Sequence, residues 1–227
     1  MTVSLLSMHS VRFAWPGGAP LALPDLAVQP GERWLLEGPS GAGKSTLLQL
    51  ASGVLLADAG DVALLGRAWR DVGAAARDAR RADHIGLVFQ MFNLVPYLSA
   101  LANVLLPCRF SARRRARAVQ RAATLEAEAR RLLAALGLAD AGLIDRAADR
   151  LSVGQQQRVA AARALIGAPE LILADEPTSA LDEDNRRAFL DLLSAEAQAA
   201  GEAVVVVSHD AALRPWFEQR LRLGVAA

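Results

Sequence analysis

Apolar residues fall into short runs separated by Gly- and Pro-rich breaks, and the spacing inside each run separates strands from helices. Val11, Phe13 and Trp15 alternate with Arg12 and Ala14, the two-residue period of a half-buried strand, and Pro16-Gly17-Gly18 closes it as a turn. Leu23, Leu26 and Val28 predict a second early strand, closed by Pro30-Gly31. Trp34–Glu37 reads as a short strand running straight into a Gly-rich loop, and Thr46–Ser52 as a helix. Ile85–Phe89 is a buried strand by the same criterion. Ser111 to Leu136 is helical, rich in Ala, Arg, Glu and Leu, with Gly137 as its C-cap. Gln155–Ile166 is helix. Leu171–Ala174 and Ala203–Val207 are continuous apolar runs, the mark of strands buried on both faces of a sheet. Strands alternating with helices predict an α/β core with a mostly parallel sheet.

Composition narrows the function classes. A length of 227 residues leaves room for one large domain or two small ones, and 53% hydrophobic content excludes a disordered chain. The formal net charge of +1 gives no polyelectrolyte signal for nucleic acid. No uninterrupted apolar stretch approaches a bilayer span, and the N-terminus lacks the pattern of a signal peptide, so a cytoplasmic location is expected. The single Cys108 excludes an internal disulfide and a multi-Cys zinc site, and is expected to be a small buried apolar residue. Lys44 is the only lysine, whereas arginine is abundant. A coding bias accounts for the arginines. The exception asks for a place where a compact ammonium on a thin stem is needed and a planar guanidinium does not fit.

Three segments carry candidate chemistry. Gly38-Pro39-Ser40-Gly41-Ala42-Gly43-Lys44-Ser45-Thr46 fits the phosphate-binding P-loop, with a strand before it and a helix after. Its glycines let successive N–H groups converge on one anion, to which the helix adds its positive end. Lys44 then reaches the outer phosphates, and the Ser45 hydroxyl ligates Mg²⁺. At the end of the apolar run Leu171–Ala174, Asp175 is placed to hold Mg²⁺ through water, and Glu176 to orient and deprotonate an attacking water. Alone, those two acids are equally an ordinary solvated strand end. The third segment is Leu151-Ser152-Val153-Gly154-Gln155-Gln156-Gln157-Arg158. Ser152 is a natural N-cap and Gly154 permits close backbone approach, which makes a second anion-binding helix terminus. A chain that already has a P-loop does not need it for one nucleotide. It makes sense closing over a phosphate held by another copy.

With these segments in this order the sequence resembles the ATP-binding cassette (ABC) ATPases over essentially its whole length. Gln90, in Val-Phe-Gln, matches the family's glutamine loop, and Leu-Ser-Val-Gly-Gln its signature. Ser179-Ala180-Leu181-Asp182 matches its D-loop, and His209 its switch histidine. The resemblance implies that Glu176, His209, Gln90 and Lys44 are catalytic and that Ser45, Gln90 and Asp175 hold Mg²⁺. It implies that ATP is bound by Trp15, Gly38, Ser40, Gly41, Gly43, Lys44, Ser45 and Thr46 of one copy. Ser152, Gly154, Gln155 and Asp182 belong with these as binding residues, Ser152 and Gly154 acting across a homodimer that sandwiches ATP. Trp15 stands where the family stacks an aromatic, more often Tyr, on adenine. The implied fold is a single domain over 1–227: a P-loop NTPase core with a mostly parallel sheet, an N-terminal antiparallel β-subdomain and an α-helical subdomain inserted over about 91–150. A separate transmembrane permease is implied as partner, which puts the chain peripherally at the cytoplasmic face of the membrane.

Departures and alternatives sharpen the resemblance. Val153 replaces the usual Gly of the signature and adds a β-branched side chain at what is expected to be a packed position. The stretches Phe89–Pro96 and Leu101–Pro107 are similar to the lipoprotein-release, macrolide-export and cell-division ATPases, although Ala102 stands where that group has Glu; ATPases of polar amino-acid importers are the runner-up. DNA-repair members of the family carry coiled-coil or zinc-binding insertions for which this chain has neither room nor cysteines, and translation-linked members carry two cassettes. The run Arg113-Arg114-Arg115, with Arg117 and Arg121, reads as a solvated helix face, and without interleaved aromatics it is no nucleic-acid platform. His9 and His84 carry no motif. Ser208-His209-Asp210 is not a nucleophilic triad, since consecutive strand-end side chains diverge.

Overall fold

Which apolar residues alternate and which run on decides how the chain layers. The computed structural model describes residues 4–179 and 181–224. From the N-terminus come β1 (Leu6–Phe13), β2 (Leu21–Ala22), β3 (Leu26–Val28), β4 (Arg33–Glu37), α1 (Lys44–Ala51), β5 (Ala59–Leu64), β6 (Arg67–Ala68), α2 (Ala74–His84) and β7 (Ile85–Val88). Helices α3 (Ala100–Leu105), α4 (Pro107–Phe110), α5 (Ala112–Ala122), α6 (Leu125–Ala135) and α7 (Ala141–Ile144) follow. The chain then runs through α8 (Val153–Leu165), β8 (Leu171–Asp175), α9 (Glu183–Ala200), β9 (Ala203–Ser208) and β10 (Gln219–Arg222). One sheet has the order β10-β4-β9-β8-β7 and is parallel throughout; the other joins β1, β2, β3, β5 and β6 in antiparallel pairs.

The continuous apolar strands divide their residues between two cores. Leu171 and Leu173 of β8, with Ala203, Val205 and Val207 of β9, face α1 and the antiparallel sheet. Ile172, Ala174, Val204 and Val206 face α8, α9 and the helices between β7 and α8. Full burial on both faces removes the polar alternation that a half-exposed strand shows.

Several boundaries differ from the sequence expectation. The first strand starts at Leu6, and its inward residues switch phase: Leu6 and Met8 are buried, then Val11 and Phe13. A bulge between His9 and Arg12 causes the switch, with Ser10 at φ 52° and its N–H held by Asp25 Oδ1 at 2.7 Å. A Cβ on Gly60 opposite would lie 2.2 Å from Ser10 O, so only glycine fits there. Trp15 lies beyond the strand, half-exposed, its ring edge-on to Phe13. Of the strand expected from Leu23 to Val28 only Leu26–Val28 forms, as β3, and the short β2 precedes it at Leu21–Ala22. The long helix expected from Ser111 to Leu136 is broken at Ala123 (φ 61°), after which Thr124 Oγ1 caps α6 by accepting from Ala127 N at 3.0 Å. Gly137 does end that helix, with Gly137 N on Ala134 O and Leu138 N on Leu133 O.

The basic run is only in part a solvated face: Arg113, Arg115 and Arg121 are exposed, Arg117 is half-buried and Arg114 is buried. Arg113 and Arg117 bond Glu170, Arg121 bonds Glu128, and Arg115 donates to Cys108 O. Arg114 is 2% exposed and donates to the carbonyls of Ile166 (2.7 Å), Ala164 (2.6 Å), Arg163 (3.2 Å) and Ile85 (3.3 Å). It thereby caps the C-terminal end of α8 and ties it to β7. Burial pushes its pKa down to about 10, still charged at neutral pH. Arg114→Met should leave these carbonyls buried without donors and lower stability by about 3 kcal/mol or more in urea unfolding. A loss below about 1 kcal/mol would contradict the clasp.

Candidate functional site

Strand register sets the site. Glu37 of β4 lies level with Ser208 of β9, Val207 with Asp175 of β8, and Ala174 with Val88 of β7. One or two steps beyond that common edge stand Gly38, His209, Glu176 and Gln90, where a parallel sheet presents its ligand crevice. Pro39, Ser40, Gly41, Gly43, Lys44, Ser45, Thr46, Gln90, Asp175, Glu176 and His209 line one cavity of about 570 Å³ there.

The P-loop half of the cavity is built for an anion. Gly41 and Gly43 have φ of 81° and 83°, and a Cβ on Gly43 would sit 2.5 Å from Leu21 Cδ2. Helix α1 begins at Lys44 with no side-chain cap and no acid in its first turn, which leaves its first N–H groups for an incoming acceptor. Lys44 is 9% exposed. Its Nζ donates to Gly38 O at 2.7 Å and Pro39 O at 3.0 Å, and lies 3.8 Å from Glu176 Oε1. Gly38 itself contributes this carbonyl rather than cavity wall.

Acids form the other half. Burial raises the pKa of Asp175, and a hydrogen bond from the Ser45 hydroxyl opposes the rise. Glu176 sits in the left-handed region at φ 44°, a strain costing about 1–2 kcal/mol for a non-glycine residue. Its Oε2 accepts from Ser208 Oγ at 2.7 Å; its Oε1 accepts from His209 N at 3.0 Å and from His209 Nδ1 at 2.7 Å. Ser208 and His209 therefore do not diverge as expected, because the chain leaves β9 between them and both turn onto one carboxylate. Asp210 goes elsewhere, onto Arg186, so no Ser–His–Asp relay forms.

The remaining expected residues lie outside this cavity. Ser152 caps α8 in a capping box: Gln155 N donates to Ser152 Oγ at 3.3 Å and Ser152 N to Gln155 Oε1 at 2.9 Å. Gln155 is thus committed to its own helix. Val153, expected to be packed, is 51% exposed. Beside it, Leu181 Cδ2 is the atom nearest to where a Cβ of Gly154 would stand, at 3.5 Å, so the signature-like segment meets the residues after β8. Asp182 caps α9 by accepting from Asn185 N at 2.9 Å, which lowers its pKa. Ala180 lies outside the described residues. The sequence reading set Ser208 aside as diverging from His209, and it gave no role to Arg163 and Asn103, which contact the loop after Gln90 through backbone atoms and leave no side-chain pattern.

Comparison with known proteins follows the same outline. The ABC transporter family profile matches residues 22–179. The lipoprotein-releasing system ATP-binding protein LolD of Maricaulis maris (strain MCS10) is 43% identical over 185 residues, 82% of this chain and 77% of that protein. The macrolide export ATP-binding/permease protein MacB of Rhodopseudomonas palustris (strain HaA2) is 36% identical over 220 residues, 94% of this chain. The chain spans only 32% of that relative's length. Among solved structures, the dimeric post-hydrolysis state of the ATP-binding cassette MJ0796 with ADP and Pi superposes with a TM-score of 0.82 at 33% identity, over 97% of this chain and 94% of that one.

Gly43→Ala should strain the left-handed turn, push on Leu21 and weaken inorganic tripolyphosphate binding on the order of tenfold by isothermal titration. Unchanged affinity would contradict the cradle.

Proposed function

The chain belongs to the ABC transporter family, and from that premise we propose that it binds and hydrolyses ATP as a homodimer that drives a transmembrane permease. The observation that carries this reading is the convergence of Lys44, Ser45, Gln90, Asp175, Glu176 and His209 on one cavity at the carboxyl edge of the parallel sheet. In this reading the N–H groups from Gly38 to Thr46 and the Lys44 ammonium bind the phosphates, exchanging the carbonyls of Gly38 and Pro39 for phosphate oxygens. Ser45, Gln90 and Asp175 are a donor set suited to Mg²⁺, which takes oxygen ligands and shares them with a substrate's phosphates. Bound there, Mg²⁺ would neutralise charge on the outer phosphates.

Glu176 is the proposed base. Ser208 and His209 fix its carboxylate, and the left-handed turn aims it into the cavity beside Lys44. His209, largely exposed on the cavity side, is free to contact the terminal phosphate once nucleotide draws it from Glu176. Trp15 is the proposed adenine platform, half-exposed as a stacking ring must be. Ser152, Gly154, Gln155 and Asp182 lie outside their own chain's cavity, which supports assigning the signature to the site of a second copy. MJ0796, the solved relative, is a dimer.

The permease partner is supported by a different surface. An apolar cleft of about 460 Å³ beside the Gln90 loop is lined by Ile85, Leu87, Phe89, Pro107 and Phe110, among others. Phe110 in its wall is 76% exposed, and in the segment after Gln90 Met91 is 81% and Tyr97 78% exposed. No described helix is long and apolar enough to cross a membrane. The relatives named as ATP-binding/permease proteins extend well beyond the part this chain matches, so the proposed occupant of the cleft is a cytoplasmic segment of a permease. The segment 91–150 is proposed as the subdomain that carries this surface. The relatives' names favour an export or lipoprotein-release complex, with the chain held peripherally at the cytoplasmic membrane face.

Lys44→Ala should abolish measurable Mg²⁺-ATP binding. Glu176→Gln should bind ATP, turn over on the order of 10²–10³-fold more slowly, and elute as an ATP-dependent dimer on gel filtration. Undiminished hydrolysis by Glu176→Gln, or full ATP affinity in Lys44→Ala, would overturn the assignment.

A further inference from the structure

We propose that Arg163, near the C-terminal end of α8, is a positioning residue for the nucleotide site: it holds the backbone after Gln90 in a double left-handed turn and so fixes Gln90 against the cavity. Arg163 Nη2 donates to Phe92 O and Nη1 to Asn93 O, both at 2.6 Å. Phe92 and Asn93 have φ of 58° and 48°. Non-glycine residues visit this region singly and seldom in succession, so the turn persists only if something outside it holds it. The loop's own backbone bonds are short-range, Phe92 N to Phe89 O and Asn93 N to Met91 O. Met91 is 81% exposed, so packing does not pin this stretch from the solvent side. Further along, the buried Asn103 side chain accepts from Val95 N and donates to Val95 O. Of these two anchors, Arg163 is the one next to Gln90.

The chemistry of the contact selects arginine. Two successive carbonyls diverging from a tight turn present two acceptors, which a planar guanidinium spans with two N–H groups and an ammonium does not. Arg163 is partly buried and has no carboxylate partner among the described residues; burial depresses its pKa, to about 10. A partly buried guanidinium without a counter-charge still needs acceptors for the N–H groups it withdraws from water. The loop carbonyls are what the charge serves. Arg163 lies in the last turn of the helix that Ser152 opens, so the Gln90 loop is tied to that helix at the end opposite its signature-like start.

Arg163→Met, Arg163→Lys and Gln90→Ala in the full chain test this. The kinetic arm rests on the ATPase reading. Arg163→Met should keep ATP affinity within about twofold, lower kcat on the order of tenfold or more, and raise the Mg²⁺ concentration for half-maximal rate. Added to Gln90→Ala it should lower kcat no further, because both act through the same group. Arg163→Lys should retain most of the defect. Multiplicative effects in the double variant, a parallel fall in ATP affinity, or full rescue by Lys would each overturn the proposal. A spectroscopic arm stands without any ATPase activity. A spin label at Met91→Cys, in a Cys108→Ala background, should become more mobile when Arg163→Met is added; an unchanged spectrum overturns the proposal even if the wild-type chain hydrolyses nothing. Wild-type inactivity with the mobility increase intact would overturn the ATPase reading and leave the brace standing.

Discussion

Everything at the site follows from the parallel register of β4, β9, β8 and β7. Because Glu37, Ser208, Val207, Asp175 and Val88 lie along one edge, the four loops that leave the sheet there start within side-chain reach of each other. A parallel strand pair must cross over through a long connection, so each loop is free to carry its own chemistry while the ladder holds its starting point. The P-loop supplies N–H groups and Lys44, β8 supplies Asp175 and Glu176, β9 supplies Ser208 and His209, and β7 supplies Gln90. A slip of one residue in any pairing would turn that strand's residues to the opposite core and withdraw its contribution.

Two helix starts in the chain are treated in opposite ways. The N-terminus of α1 has no side-chain cap and opens on the cavity. The N-terminus of α8 is closed by the reciprocal Ser152–Gln155 box and lies outside that cavity. At its other end α8 is fixed by Arg114, and through Arg163 it is fixed to the loop that carries Gln90. Helix, loop and basic run therefore form a single braced unit beside the sheet. Of the charges that look solvated in the sequence, Arg114 is buried on carbonyls, and Arg113, Arg117 and Arg121 are paired with Glu170 and Glu128.

What was legible in the sequence is what depends on local pattern. The apolar runs of β8 and β9, the Gly-rich turn before Lys44, the Ser152 cap and Gly137 each leave a signature of composition at fixed spacing. What was not legible depends on partners distant in the chain. The bulge at Ser10 rests on Asp25 and Gly60, and it hid the true start of β1 by breaking the alternation. The break at Ala123 has no glycine or proline to announce it; only Thr124 followed by Glu126 and Glu128 marks a helix start there. Ser208 on Glu176 joins strands far apart in sequence. Arg163 and Asn103 act on backbone carbonyl and amide groups, which every residue carries, so no motif can reveal them. Val153 misled in the opposite direction: the family pattern suggested a packed position, and the side chain stands half in solvent.

The central claim is that each working site takes Lys44 and Glu176 from one copy and Ser152 from another. Mixing Lys44→Ala with Ser152→Arg tests it directly by ATPase titration. Each variant alone carries a defect in every site and should be nearly inactive. In a mixed dimer both defects fall on one composite site, and the account predicts that activity returns toward roughly a quarter of wild type at an equal mixture, half the dimers keeping one intact site. Activity no higher than the sum of the separate variants, in preparations where affinity tags on the two chains demonstrate mixed dimers, would contradict it.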